Sequence, residues 1–511
     1  MASTPHPSSS KDWQQTLYAH PLAWLLLLAC AHVVSRVLIS PAMKWDESEQ
    51  ILWSQSLQLG YGPQPPLYTW IQWATCQVLG PSVLALAVVK HALIALTYCL
   101  AWLAARRLLG ARGAWWAAAG LLLMLPFGWH SLRDQTHTVL VTAMAMGLWW
   151  AVLRQVQAPA PRNFVLIGLF CGLGMLSKYS YALLIVALFA CAMTVPRVRQ
   201  ALFARGFWLA PCVGLLVFAP HAWWLLQHWG MATHETLEKM AISDQLSWLK
   251  GLGNLLVATL ATLGLWGLAV LVGYRSLLWH ESPPRQELEE QDRAWAKPLL
   301  SRYLLVIALA LAGMVVLGDV THFKQRWILP LTAIAPLALY VARPALLAPG
   351  AGRAYTGIAV LFALLFLVMA TLRPWQSGWR GDPDELNHPV AELAAELGEA
   401  GYDGRGLIVG ADHMLAAMLH SRFPRTYALQ CADLAKLDQC LAQAAATDLG
   451  QGTLFIARLD RADASWWSGL PPPVQRGQPV RSIALPFNKM RAGAAPAQYQ
   501  YLWLAPATAR P

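Results

Sequence analysis

The chain has 511 residues, of which 57% are hydrophobic and only 13% charged. A soluble domain carries roughly 25% charged residues, so the composition excludes a cytosolic enzyme, a secreted domain and a disordered chain. We predict a mainly α, polytopic membrane protein, which leaves transporter, channel and membrane enzyme open. The net charge of +11 would suggest nucleic acid in a soluble protein. Here it indicates charge that anchors cytoplasmic loops, and no nucleic-acid partner is expected.

Apolar runs predict about eleven transmembrane helices. They lie at about 21–40, 82–105, 114–129, 136–153, 164–177, 181–195, 207–229, 254–274, 303–318, 327–342 and 355–373. The runs at 164–177 and 181–195 are short and share the polar sequence Ser177 to Ser180, which predicts a helical hairpin. The segment at about 41–81, between the first two runs, is rich in Trp and Leu and predicts interfacial helices that contact the headgroups of membrane lipids.

The distribution of basic residues predicts the orientation of the chain. Most Arg and Lys residues fall in loops that lie inside if the N-terminus is cytoplasmic. An odd number of spans then places residues 374–511 outside the membrane. We therefore predict a bacterial inner-membrane protein with a transmembrane catalytic domain at 1–373 and a soluble periplasmic α/β domain at 374–511.

The C-terminal segment has the composition and periodicity of an α/β domain. Residues 407–410, 453–456 and 499–503 resemble strands, and residues 389–400, 413–421 and 432–446 have helical periodicity. Cys431 and Cys440 are the only cysteines in this predicted periplasmic domain. Two interpretations remain open for them, a disulfide or two independent buried thiols.

The acidic residues of the membrane part gather at the predicted outer ends of helices. The outer set is Asp46, Glu47, Glu49, Asp134, Glu235, Glu238, Asp244 and Asp319. A proton-coupled transporter would be expected to carry ionisable groups near the bilayer midplane. The pattern instead favours chemistry at the outer membrane surface.

Two of these acidic positions are candidate catalytic sites. In the first outer loop, Asp46 and Glu47 could serve as a general base and its orienting partner, or they could only stabilise the start of the following helix. In the second outer loop, Asp134 adjoins Arg133, and the pair is either functional or a local ion pair. Arg36 is interpreted as an interfacial anchor. Lys90, inside an apolar run, is either a functional residue or one that only reaches the interface.

The sequence around the first pair resembles the bacterial GT-C glycosyltransferases, the group of protein mannosyltransferase-like proteins and lipid A aminoarabinose transferases. The resemblance rests on Asp46-Glu47, Trp53-Ser54-Gln55, Gly60-Tyr61, Pro65-Pro66-Leu67 and Trp70, and more weakly on Asp134, on 172–178 and on 326–330. It implies the GT-C fold, a polyprenyl phosphate sugar as donor, a lipid or glycan acceptor, and a periplasm-facing active site. It also implies that Asp46 is the catalytic base, Glu47 its neighbour and Asp134 the second acidic position.

The same hypothesis assigns the remaining site residues. The leaving phosphate of the donor needs cations, and the candidates on the outer face are Lys178, His322, Lys324, Arg326 and Arg133. The last part of the first outer loop contributes Tyr61, Gln64 and Tyr68 as substrate-loop residues. The three basic residues at 322–326 could instead be snorkelling residues at the end of a span.

One departure from the family pattern bears on whether the protein needs a metal ion. Relatives often carry Glu-Lys or Asp-His before the Pro-Pro pair, whereas this chain has Pro63-Gln64. In the aminoarabinose transferases that Glu helps to bind a metal and that Lys lies near the donor phosphate. We therefore predict no essential metal and no cofactor. The competing hypotheses are a lipid or sugar transporter and a scaffold without catalytic function.

Overall fold

The computed structural model describes residues 13–230, 247–275, 290–318, 320–348, 351–443, 452–459, 465–470 and 477–506. The predicted outer acidic residues Glu235, Glu238, Asp244 and Asp319 lie outside these ranges, as does part of the predicted helix at 432–446.

The first half of the chain is helical. Its helices are α1 (Trp13–Ala19), α2 (Pro21–Ile39), α3 (Trp45–Trp53), α4 (Leu67–Leu79), α5 (Val83–Arg106), α6 (Ala111–Leu123), α7 (Ser131–Arg133), α8 (His137–Gln157), α9 (Pro161–Met175), α10 (Tyr181–Met193), α11 (Pro196–Leu202) and α12 (Leu209–Gln227). A short π-helix, Pro126–His130, precedes α7.

The helices continue to residue 380 and are followed by an α/β segment. The later helices are α13 (Ser247–Gly273), α14 (Glu290–Gly318), α15 (Gln325–Thr332), α16 (Ala335–Ala342), α17 (Arg353–Arg380), α18 (Val390–Glu399), α19 (His413–Arg422) and α20 (Leu437–Gln443). The strands are β1 (Arg405–Gly410), β2 (Arg425–Gln430), β3 (Thr453–Arg458), β4 (Arg481–Leu485) and β5 (Ala497–Leu504).

All eleven predicted apolar runs fall on helices, but they differ in length. Among the described residues, seven helices are long and apolar enough to cross a membrane, and α10 with α11, bent by 116°, makes eight if the pair forms one span. The other runs fall on shorter helices, and Pro126, Pro196 and Pro336 stand at their interruptions. Proline lacks the N–H that a continuous helix needs. The predicted count of eleven spans stays a prediction.

The chain divides into two compact units, each assembled from segments that are distant in sequence. The first unit comprises Met1–Cys30, Leu59–Tyr68 and Ala92–Phe366, and the second comprises Ala31–Gln58, Thr69–His91 and Leu367–Pro511. The boundary predicted at residue 373 separates transmembrane from periplasmic residues. The division into compact units does not report membrane location, so this boundary stays a prediction.

The first unit is a helical bundle built around α8. Of the 18-residue apolar stretch of this helix, 89% is buried, so α8 lies inside the bundle. Helices α9 and α15 pack on α8, and α12 packs on α9. The predicted hairpin at 164–195 is confirmed, because α9 and α10 flank a turn over 176–180.

The second unit contains a five-stranded sheet in the order β2-β1-β3-β5-β4. Strand β1 is parallel to both β2 and β3, whereas β5 is antiparallel to β3 and to β4. Leu415 and Leu419 of α19 pack with Ile408 on one face. Leu437 of α20 packs with Val409 on the other. Residues 45–53 also belong to this unit, since α3 packs on α19.

A disulfide joins Cys431, just after β2, to Cys440 on α20, with the two Cα atoms 5.7 Å apart. The structure therefore selects the disulfide from the two interpretations that the sequence left open. The bond closes the loop between β2 and α20 on the face of the sheet that α20 covers.

Candidate active site

Glu47 lies in a buried cluster of cations in the second unit. The Arg36 guanidinium donates two hydrogen bonds to it, from Nε to Oε1 at 3.2 Å and from a terminal nitrogen to Oε2 at 2.6 Å. The ammonium groups of Lys44 and Lys90 each lie 3.8 Å from Oε1. All four side chains are at most 6% exposed. One carboxylate thus faces three basic side chains inside the protein.

Local sequence explains why Glu47 reaches this position. Lys44 is the N-cap residue of α3, and Glu47 is the third helical residue, whose Oε2 accepts a hydrogen bond from the Lys44 backbone N–H at 3.1 Å. This is half of a capping box, an arrangement that satisfies a donor at a helix start. Arg36, at the end of α2, also donates to the carbonyl oxygens of Ser40 and Ala42, which fixes the turn between the two helices.

The charges of the cluster control its protonation. Burial alone would raise the pKa of Glu47, but Arg36, Lys44 and Lys90 hold that pKa well below its ordinary value. The pKa of the Lys44 ammonium is lowered to about 7, mainly by burial; Glu47 opposes this shift, whereas Lys90 and Arg36 add to it. Glu47 is therefore a fixed anion without an exposed oxygen to receive a proton. The orienting role predicted for Glu47 stays a prediction.

Two basic residues of the apolar runs, Arg36 and Lys90, are buried in this cluster. The interpretation of Arg36 as an interfacial anchor is wrong, because the residue is 5% exposed and paired with Glu47. Lys90 is also buried, and within the described residues its Nζ has no hydrogen-bond partner. Its ionic contact is with Glu47, so the charge in the apolar run belongs to this cluster.

Asp46 precedes Glu47 on the first turn of α3 and is half-buried. Consecutive helical residues point about 100° apart, so its side chain leaves the helix in another direction from the enclosed Glu47. Negative charge at a helix N-terminus is stabilised by the helix dipole. Asp46 is thus a half-buried carboxyl side chain on the first turn of an anchored helix, and its role as the general base stays a prediction.

In the first unit, Tyr68 and Lys178 meet at the start of α8. The ring centroids of Tyr68 and His137 are 5.4 Å apart, and the Lys178 Nζ donates to the Thr138 hydroxyl at 3.4 Å. The Leu67 backbone N–H donates to the carbonyl of Leu176, which ties the end of the substrate loop to the turn that carries Lys178.

The three basic residues at 322–326 lie at the start of α15. His322 and Lys324 precede the helix, Lys324 is its N-cap residue, and Arg326 is in its first turn; all three side chains are half-buried. Lys178 and Arg326 both interact electrostatically with His137. The structure thus brings these two predicted phosphate ligands to the same end of α8, where two cations can stabilise an anion.

Arg133 and Asp134 form a local ion pair. Arg133 Nε lies 3.7 Å from Asp134 Oδ2, and the side chains are 41% and 43% exposed. Pairs this exposed contribute little stability. The geometry matches the local ion pair that the sequence left open, and the assigned roles of Asp134 and Arg133 stay predictions.

Tyr61 and Gln64 form a tight turn in the first unit. Their backbones exchange two hydrogen bonds, at 3.3 and 3.1 Å. Tyr61 is buried, whereas Gln64 is half-buried. Among the residues that the structure describes, no group of three or more His, Cys, Asp and Glu side chains could hold a metal ion.

Sequence reasoning missed His137 as the residue that links Lys178, Arg326 and Tyr68. The pairing of Arg36 with Glu47 was also missed. Two features of the sequence could have indicated this buried cluster. They are an arginine at the end of one apolar run and a second cation, Lys90, inside another.

Comparisons with known proteins bear on the family and the fold. The sequence profile of the family described as dolichyl-phosphate-mannose-protein mannosyltransferase matches residues 63–224. The structure of ArnT from Cupriavidus metallidurans bound to undecaprenyl phosphate superposes with a TM-score of 0.60 at 14% identity, covering 96% of this chain and 98% of that one. At that identity the match shows a common fold.

The sequence relatives decide the family. The lipopolysaccharide core galacturonosyltransferase RgtB of Rhizobium johnstonii is 30% identical over 414 residues, or 79% of this chain and 82% of the relative. The chain belongs to the bacterial GT-C glycosyltransferases. A second glycosyltransferase of this group, the lipopolysaccharide core galacturonosyltransferase RgtA of the same organism, is 29% identical over 79% of the chain and 80% of its own length. The protein is therefore a multi-pass membrane glycosyltransferase, which sets aside the transporter and scaffold hypotheses.

Proposed function

We propose that the protein transfers a sugar from a polyprenyl phosphate donor to a lipid or glycan acceptor, with inversion at the anomeric carbon. Two named relatives act on lipopolysaccharide core as galacturonosyltransferases, which favours a hexuronic acid as the sugar and lipopolysaccharide core as the acceptor. The ArnT structure contains undecaprenyl phosphate, which supports a donor of that lipid class. In this proposal the protein lies in the inner membrane, with a cytoplasmic N-terminus and the α/β domain in the periplasm.

The observation that carries the proposal is the Asp46-Glu47 pair. An acceptor hydroxyl needs a carboxylate that receives its proton as the new bond forms. Asp46 is half-buried in the first turn of α3, and the next residue, Glu47, is fixed by Arg36, Lys44 and Lys90. Such a base is held in one place, which is the condition for efficient general-base catalysis.

The reaction is a single displacement. The acceptor oxygen attacks the anomeric carbon from the face opposite the phosphate, and the bond between that carbon and the phosphate oxygen breaks. The proton of the acceptor passes to Asp46, and the electron pair of the broken bond leaves with the polyprenyl phosphate. Lys178 and Arg326 stabilise the charge that develops on this phosphate. We include no divalent metal in the mechanism, and no cofactor is needed.

Lys178 provides a direct test of the phosphate assignment. Replacing Lys178 with Met removes a charge-assisted contact to the phosphate, a contact of about 1.5–3 kcal/mol. We expect kcat/KM for the polyprenyl phosphate sugar to fall about 10- to 100-fold, with partial recovery in Lys178→Arg. The measurement is sugar transfer by the purified protein in lipid nanodiscs, with product detected by mass spectrometry.

The matched control for this experiment is Lys250→Met, because Lys250 is an exposed lysine of the same unit on α13. This variant should retain wild-type kcat/KM. Equal values for Lys178→Met and the wild type would remove Lys178 from the phosphate site. A wild-type protein that transfers no sugar from any polyprenyl phosphate donor would contradict the proposed function itself.

A further inference from the structure

A cavity of about 630 Å³ opens in the second unit at the carboxyl ends of the parallel strands. We call it the carboxyl-edge pocket. Its lining residues are Trp45, Ala411, Asp412, His413, Met414, Gln430, Ala432, Asp433, Ser465 and Trp466. Its volume falls within the range of about 300–1,000 Å³ that is usual for small-molecule sites. The lining includes none of the four residues of the cation cluster around Glu47.

The position of the pocket follows from the sheet topology. The chain passes from β1 through α19 to β2 on one side of β1, then through α20 to β3 on the other side. Because α19 and α20 cover opposite faces of the sheet, the two connections separate at the end of β1. This is a topological switch point, where open α/β sheets bind their ligands. Ala411 and Asp412 follow β1 directly at this point.

The lining has the chemistry of a site for hydroxyl groups. Asp412 caps α19 through Oδ1, which accepts from the Leu415 backbone N–H at 2.9 Å. Within the described residues, its buried Oδ2 accepts no hydrogen bond. Asp433, Gln430 and Ser465 add exposed carboxylate, amide and hydroxyl groups. The three exposed groups can accept from or donate to the hydroxyls of a ligand, and none of the described lining residues is Lys or Arg.

Aromatic surface completes the site. The indole of Trp45 is 46% exposed and packs edge-on against the His413 ring, with centroids 4.1 Å apart. The His413 Nε2 lies 3.3 Å from the Trp45 carbonyl oxygen, so the histidine orients this part of α3. An exposed, fixed aromatic ring offers an apolar face to the C–H groups of a pyranose. Acidic and amide groups around such a ring select neutral, hydroxyl-rich sugars over anions.

We propose that the carboxyl-edge pocket binds a saccharide segment of the acceptor. Its role as an acceptor subsite rests on the proposed function, because Trp45 immediately precedes Asp46 and so connects the pocket wall to the proposed base through one peptide bond. A sugar bound against Trp45 positions the acceptor beside the helix turn that carries the base. The pocket contributes binding and orientation, and no bond is made or broken in it.

Filling the pocket tests this inference. Ala432 is exposed on the pocket lining, so Ala432→Trp adds an indole to the cavity without replacing a core residue. The matched control is Ala435→Trp, the same change at an exposed position that is not part of the lining. The probe is deacylated lipopolysaccharide core oligosaccharide, titrated calorimetrically into the full-length protein in nanodiscs. A second variant, Gln430→Ala, removes a polar group from the lining by truncation alone.

We expect the wild type and Ala435→Trp to bind the oligosaccharide equally, and Ala432→Trp and Gln430→Ala to bind it more weakly, the former by at least about tenfold. In transfer assays, the acceptor KM should rise in Ala432→Trp with the donor KM unchanged. Wild-type affinity in both pocket variants, or no binding by the wild type, would overturn the pocket assignment. Binding without any transfer would overturn the proposed function and leave the pocket standing, so the two failures are distinguishable.

Discussion

Replacing Asp46 with Asn should lower kcat for sugar transfer by about 10²–10⁴, the usual contribution of a positioned general base. Asparagine has nearly the same shape and is equally compatible with the first turn of a helix, but its amide cannot take the acceptor proton. The KM values for donor and acceptor should therefore change little. The measurement is steady-state transfer by the two purified proteins in nanodiscs at the same protein concentration.

The control for this variant is Glu49→Gln, three residues further along the same helix, where a half-buried carboxylate is lost without any proposed role. It should keep kcat within a few-fold of the wild type. A wild-type kcat in Asp46→Asn would remove the base assignment. Equal losses in both variants would indicate a general effect of charge on α3 instead of a proton acceptor at one position.

Replacing Glu47 with Gln should have the largest effect on stability. Glutamine can still accept the hydrogen bond from the Lys44 backbone, because Gln also completes a capping box. The change therefore removes mainly the negative charge and leaves Arg36, Lys44 and Lys90 buried without it. Losing one partner of a buried ion pair costs about 3–5 kcal/mol. The measurement is the unfolding midpoint in nanodiscs, compared with that of Glu49→Gln, the same change at a half-buried position of the same helix, which should lose less stability.

A double variant separates charge from packing at this cluster. Adding Lys90→Met to Glu47→Gln removes one of the uncompensated cations and should restore part of the lost stability. If the double variant is no more stable than Glu47→Gln alone, the loss is not electrostatic.

The pH dependence of the same cluster has a defined sign. Because the folded protein holds the pKa of Glu47 below its ordinary value of 4.5, the ionised form contributes stability above about pH 4.5. That contribution is lost as the pH falls from there through the folded pKa. The Glu47→Gln variant should lack it, so the stability difference between wild type and variant should shrink on acidification. A difference that is constant with pH would contradict the ionic account.

The sequence predicted the parts of the site that depend on local pattern. Asp46 and Glu47 were identified because they follow an apolar run and match a family motif, and α3 begins where those residues predict. The partners of Glu47 could not be identified in the same way. Arg36 and Lys90 lie 11 and 43 residues away along the chain, and their approach to one carboxylate depends on how α2, α3 and α5 pack.

In the fold as well, local sequence patterns predicted some features, whereas others depend on how distant segments pack. Hydrophobic runs located the helices, and the predicted strands at 407–410, 453–456 and 499–503 are confirmed as parts of β1, β3 and β5. Strand β2 was missed because Arg425-Thr426-Tyr427 begins it with mixed polarity. Strand β4 was missed because it is an edge strand with mostly exposed side chains. The carboxyl-edge pocket depends on strand order, which no local pattern contains.

The stereochemistry of the product tests the central claim most directly. The donor should be a synthetic polyprenyl phosphate galacturonic acid of known anomeric configuration, and the product of the wild-type protein should be isolated and its configuration determined by NMR. A single displacement with Asp46 as base predicts that the sugar is transferred to the acceptor with the opposite anomeric configuration. Transfer with retained configuration would contradict that account, since it would require a covalent intermediate or a second displacement.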